Sequence, residues 1–166
     1  LATVRAMRTP EELEAVAVEA YGPYATVSVP EVRALADAIR RARGRLRTLA
    51  GQSDCGRTVR YAQATLARDH VGADGDRACD VLGQRMRPLA WIEHALSGAG
   101  GERAAVTPCE LRTLVAEWRR LLRSVAVIAE KSSCRRSRDF ASRAIGAEPS
   151  CSRKGACPNV RAPARP

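Results

Sequence analysis

The stretch TPCELRTLVAEWRRLLRSVAVIAEK, residues 107–131, carries the strongest structural signal in the chain. Leu111, Leu114, Val115, Trp118, Leu121, Leu122, Val125 and Ile128 recur at helical spacing and form a wide apolar stripe. Thr107-Pro108-Cys109-Glu110 opens it as a capping box. The hydroxyl accepts from an early orphan N–H, the proline sits where no donor is needed, and the glutamate reaches back to the cap. A helix over 108–131 at the centre of a core is predicted.

Working outward, the same kind of start occurs twice more. Thr9-Pro10-Glu11-Glu12 predicts a helix over 10–20 that stops before Tyr21-Gly22-Pro23. Ser28-Val29-Pro30-Glu31 predicts a second over 29–50, where Val32, Leu35, Ile39, Ala42, Leu46 and Leu49 make a narrow seam. A weaker stripe, Cys55, Val59, Ala62, Leu66 and Val71, predicts a helix over 54–71 with Gly72 as its C-cap. Cys79, Leu82, Met86, Leu89, Ile92 and Leu96 predict another over 76–96, with Pro88 forcing a kink or break near Arg87. Nothing reads as a sheet, because the weak alternation of 25–29 runs into Pro30. No internal repeat is legible beyond a shared Thr-Pro-x-Glu-Leu helix start, which capping chemistry explains.

Short connections between these helices favour an all-α, antiparallel up-down bundle of four to five helices. After Lys131 the composition turns to Ser, Arg, Pro and Gly, with Phe140 the one aromatic. Such a segment buries too little apolar surface to offset its ordering entropy. The expected organisation is a bundle domain over 1–131 and a basic, largely disordered tail over 132–166, with a short helix near 137–145.

The net charge of +10 is uneven along the chain. Residues 1–131 hold 20 basic and 16 acidic side chains, and 132–166 hold 8 and 2. All the basic residues except Lys131 and Lys154 are arginine, a bias that GC-rich coding DNA produces. No apolar run approaches the roughly 18 residues of a membrane span. No basic start with an apolar stretch and cleavage site opens the chain, so a cytoplasmic location without membrane attachment is expected.

Six cysteines invite a metal or disulfide reading, yet no C-x-x-C occurs and no histidine pair accompanies them. Cys55, Cys79 and Cys109 fall near helix starts, while Cys134, Cys151 and Cys157 lie in the tail. The favoured reading is small unreactive thiols, with Cys55 or Cys109 as the candidates for a helix-acidified one. His70 and His94 adjoin Asp69 and Glu93, but successive helical residues point about 100° apart and make no dyad. Gly98-Ala99-Gly100-Gly101 lacks the Lys-Ser/Thr of a phosphate loop. Asp74-Gly75-Asp76 lacks the later ligands of a calcium loop, and Asp74, Asp76 and Asp80 are better placed as first-turn acids. No catalytic residue, metal or cofactor is assigned.

The remaining feature is basic. Arg40, Arg41, Arg43, Arg45 and Arg47 lie within eight residues with no acid between them. Arg40, Arg43 and Arg47 share a helix face, and Arg119, Arg120 and Arg123 lie on the strongest helix. These six are the candidate phosphate contacts. The leading expectation is a non-enzymatic helical binding or adaptor protein that meets a protein partner or its own copy. The alternative is a weakly selective nucleic-acid-binding accessory protein using those arginines and the tail.

Overall fold

The computed structural model describes residues 8–69, 71, 78–79, 84–98 and 102–147. The chain is all-α among them. Its helices are α1 (Pro10–Val18), α2 (Val29–Gln52), α3 (Gly56–Ala67), α4 (Leu89–Ser97), α5 (Pro108–Lys131) and α6 (Arg135–Gly146). A two-residue antiparallel ladder, β1 (Ala78–Cys79) with β2 (Gln84–Arg85), precedes α4. No helix among the described residues is long and apolar enough to cross a membrane.

The three capping boxes form. Thr9 N–H donates to Glu12 at 2.6 Å, Ser28 N–H to Glu31 at 2.9 Å and Thr107 N–H to Glu110 at 3.0 Å. The last two carboxylates do more than cap. Arg8 Nε reaches Glu31 at 2.7 Å, and Arg87 Nε reaches the fully buried Glu110 at 2.8 Å. Each of these arginines also donates to a backbone carbonyl just before the helix, Thr26 or Ala105.

One expectation is corrected and another is extended. The helix expected over 76–96 begins only at Leu89, with Pro88 as its N-cap, and the segment before it is partly extended. Proline cannot occupy a helix interior without losing a hydrogen bond and clashing with the preceding turn, so the break wins over the kink. The short helix near 137–145 forms as α6, twelve residues inside the segment otherwise assigned to a low-order tail, with Ser137, Ala141 and Ala144 buried. Composition underrates it because small residues, rather than large apolar ones, make its contact face. The helix expected over 54–71 ends at Ala67. His70, Asp74, Asp76, Asp80, Leu82, residues 99–101, Cys151, Cys157 and the Cys79 side chain lie outside the described residues.

The expectation of no internal repeat is also overturned. Helix starts at 10, 29 and 56 recur at 89, 108 and 135, and ends at 18, 52 and 67 recur at 97, 131 and 146. The displacement is 79 residues in every case. Set against each other at that offset, residues 8–67 and 87–146 are identical at 16 of 60 positions. That identity is too sparse to stand out in the sequence, yet the matched helix boundaries leave no gap to place. The pair Arg8–Glu31 recurs as Arg87–Glu110. The buried series Leu13, Val27, Val32, Leu35 and Ile39 recurs as Ile92, Val106, Leu111, Leu114 and Trp118.

The chain divides into two compact units, and each draws on both repeats. Unit 1 holds α1, α4 and the first halves of α2 and α5; unit 2 holds their second halves with α3 and α6. Within unit 1 the contacts are reciprocal. Ala25 N–H donates to Val106 at 2.8 Å and Ala104 N–H to Val27 at 2.9 Å. Arg40 pairs with Glu93, and its counterpart Arg119 pairs with Glu14. Exchanging the repeats maps these contacts onto one another, the signature of a two-fold, self-complementary packing.

Unit 2 repeats the pattern at its helix corners. Its core is Ala42, Leu46, Leu49 and Ala62 with Leu121, Val125, Ile128 and Ala141. Ser53 and Ser137 share a hydrogen bond at 2.8 Å, and Thr58 and Ser132, the equivalent pair, share one at 2.8 Å.

Candidate nucleic-acid interface

The division into units also divides the charge. Residues 1–40 and 69–119 carry 10 basic and 14 acidic side chains, a net charge of −4. Residues 41–68 and 120–166 carry 18 basic and 4 acidic, a net charge of +14. Within the described residues of unit 2 the only acids are Asp54, Glu130 and Asp139. Along the chain this segregation is hidden, because α2 and α5 each contribute one half to each unit.

The six arginines expected from sequence to meet phosphate are not equivalent. Arg40 and Arg119 belong to the acidic unit and are spent on Glu93 and on Glu11 and Glu14. Arg120 is half-buried, and its Nη1 donates to the Thr65 carbonyl at 3.0 Å, which ties α5 to the last turn of α3. Arg43 is half-buried and already engaged. Arg47 and Arg123 are exposed and make no ion pair among the described residues.

The residues missed by sequence reasoning lie on α3 and α6. Arg57 and Arg60 on α3, and Arg136, Arg138 and Arg143 on α6, are exposed and make no ion pair among the described residues. Arg57 and Arg136 are equivalent under the repeat. They sit in the first turns of their helices, where no acid is present. The helix dipole favours carboxylates there, so arginine adds to a positive field instead of cancelling it. The signal that locates them is the recurrence of Ser53-x-Cys55-x-Arg57-Thr58 as Ser132-x-Cys134-x-Arg136-Ser137.

Two residues before Arg57 and Arg136 stand two thiols. Cys55 and Cys134 are free, half-buried, and occupy the N-caps of α3 and α6 without making a side-chain cap bond. Cys55 Sγ lies 3.3 Å from Ser133 Oγ. That hydroxyl is the largest cause that lowers the Cys55 pKa, to about 6. Cys134 is also lowered, by the Ser137 hydroxyl and the N–H groups of Ser137 and Arg136, while the Asp54 carboxylate opposes the shift. Cys109, the other sequence candidate for a reactive thiol, is disulfide-bonded. It is neither the inert free thiol expected from sequence nor a nucleophile.

Unit 1 carries a shallow groove of about 350 Å³ lined by Arg33, Asp37, Arg40, Ala90, Glu93, His94 and Ser97. Its polar groups largely satisfy each other. Arg33 donates to the Leu96 carbonyl at 2.8 Å, Arg40 pairs with Glu93, and the Ser97 hydroxyl donates to the Glu93 carbonyl at 3.0 Å. Among the described residues no group of three His, Cys, Asp or Glu side chains is placed to hold a metal ion. No protein-family model, curated protein or solved structure matches the chain.

Proposed function

We propose that the chain is a nucleic-acid-binding accessory protein that meets the phosphate backbone through its basic unit. The observation that carries this reading is the charge of unit 2, +14, against −4 for unit 1. Exposed Arg47, Arg57, Arg60, Arg123, Arg136, Arg138 and Arg143 would supply the contacts. Self-repulsion among so many cations destabilises a compact unit, and a polyanion relieves it. Tyr61 and half-buried Phe140 are the two aromatics of the unit, so stacking on single-stranded bases has little to build on. Binding is therefore to backbone, weakly selective for sequence, and steep in salt.

The test is fluorescence anisotropy with a generic duplex DNA across a salt series. Replacing Arg57 and Arg136 by Gln should weaken binding and reduce the salt slope by about 2. Arg40→Gln with Arg119→Gln, in the acidic unit, should leave the slope unchanged. Absence of salt-dependent binding by the unsubstituted chain would sink the proposal.

A second reading concerns unit 1. Val18, Tyr21, Tyr24 and Trp91 are exposed there, on α1, the turn after it, and α4. Large apolar side chains held out of a core favour a protein partner, and an adaptor joining that partner to nucleic acid uses both units. Retention of partners by the unsubstituted chain, lost with Trp91→Ala and Tyr24→Ala, is the result this reading requires.

A further inference from the structure

We propose that unit 2 binds a nucleic-acid double helix with its own two-fold axis set on a dyad of the duplex, each repeat holding one strand. The inference rests on the phosphate-binding reading above and adds to it the strandedness and the placement.

The first ground is how the charge is shared. The described part of unit 2 consists of two equivalent segments, 41–68 and 120–147, related by the 79-residue displacement. Each carries seven basic side chains, against one acid in the first and two in the second. Only two of the seven positions coincide, Arg41 with Arg120 and Arg57 with Arg136. The others, such as Arg47 and Arg60 in one segment or Arg123 and Arg138 in the other, stand where the opposite repeat has no cation. The two halves therefore match in net charge, +6 and +5, without matching in sequence. A partner read through individual contacts would hold particular side chains in place. A repeating anion such as the phosphate backbone asks only for the charge.

The second ground is where the symmetry axis runs. Ser53 bonds Ser137 and Thr58 bonds Ser132, each at 2.8 Å, and exchanging the repeats turns one bond into the other. The two-fold axis of the unit passes between them. Arg57 and Arg136 adjoin Thr58 and Ser137 in the chain, so they flank that axis on either side, and both are exposed. The corners also meet at the surface, where Cys55 Sγ lies 3.3 Å from Ser133 Oγ. The one acid within 53–58 and 132–137 is Asp54, the equivalent of Ser133.

The kind of partner follows from that axis. The antiparallel strands of a duplex are exchanged by dyads perpendicular to its length, and two-fold proteins bind with their own axis on such a dyad. A single strand has a direction and no such axis, so two equivalent repeats could not meet it equivalently.

The experiment titrates the full chain with a mixed-sequence DNA duplex of about two helical turns, and with each strand alone, across a salt series. At about 0.1 M salt the duplex, with its denser phosphates, should bind about ten-fold more tightly than either strand. Arg57→Gln and Arg136→Gln should each lower the duplex salt slope by about 1, and together by about 2. A second arm reads the placement. Asp54 and Ser133, equivalent and exposed, are both replaced by the photo-crosslinker p-benzoylphenylalanine, and the two strands of the duplex carry different dyes. Irradiation should give a product that keeps both dyes in a denaturing gel, whereas either single replacement should give one-dye products only. Absence of salt-dependent binding would remove the phosphate-binding reading itself, and this inference with it. Salt-dependent binding of equal affinity for duplex and single strand, or a doubly substituted chain that joins to one strand only, overturns the two-fold placement and leaves that reading standing.

Discussion

Asp54 and Ser133 occupy the same position in the two copies of one helix corner, and they act on the opposite copy's thiol in opposite senses. The Ser133 hydroxyl, 3.3 Å from the Cys55 sulfur, lowers that thiol's pKa, whereas the Asp54 carboxylate opposes the lowering at Cys134. Two equivalent thiols thereby face different groups from the opposite corner.

Exchanging these residues should exchange the roles. In Asp54→Ser with Ser133→Asp, the Cys134 midpoint should fall and the Cys55 midpoint should rise in the rate–pH profile of thiol alkylation. Both thiols keep their helix N-termini, so neither should become inert. An unchanged order of reactivity would assign the difference to something other than the facing side chain.

The Arg–Glu staples should differ in cost. Glu110 has 1% of its side chain exposed and Glu31 11%, although both take a bidentate arginine. Removing one partner of a buried pair leaves an uncompensated charge, so Arg87→Met should destabilise by about 3 kcal/mol. Arg8→Met should cost less, because water reaches Glu31. Urea unfolding of the two variants measures the difference.

Acid should reveal the same staples. The Arg8 hydrogen bonds hold the Glu31 pKa at about 2. Burial pushes Glu110 upward, but Arg87 and the N–H groups of Thr107 and Arg87 bring it below the ordinary value. Because the folded values are depressed, the stabilisation is fully present above the unfolded value of about 4.3. It is lost as pH falls from there toward 2. Thermal melts should be flat in this respect from pH 7 to 5 and drop below, and Arg8→Met should flatten the drop.

The corner hydroxyls should couple. Thr58 and Ser132 are both buried and bond at 2.8 Å. Thr58→Val leaves Ser132 short of a partner, at a cost of about 1–3 kcal/mol. Thr58→Val with Ser132→Ala should recover part of that loss, because the stranded hydroxyl is gone. A double-mutant cycle in urea measures the coupling. The equivalent Ser53–Ser137 bond is less buried and should couple more weakly.

By itself the sequence determined the helices whose cause is local. Capping boxes and 3.6-residue stripes depend on neighbours within four positions, so α1, α2 and α5 are legible to within two residues. The break at Pro88 and a helix near 137–145 are legible for the same reason. What only the tertiary structure decided is everything that depends on distant residues meeting. The 79-residue repeat survives as contact geometry more than as letters. A buried position tolerates any apolar side chain of fitting volume, as the equivalent residues Val32 and Leu111 show. The basic surface is only partly legible because Arg40 and Arg119 find acids 53 and 105 residues away. The Cys55 thiol is legible as a candidate at a helix start, but the largest cause of its acidity, Ser133, lies 78 residues away in the chain and 3.3 Å away in space. Electrostatics acts through space, and only the fold sets those distances.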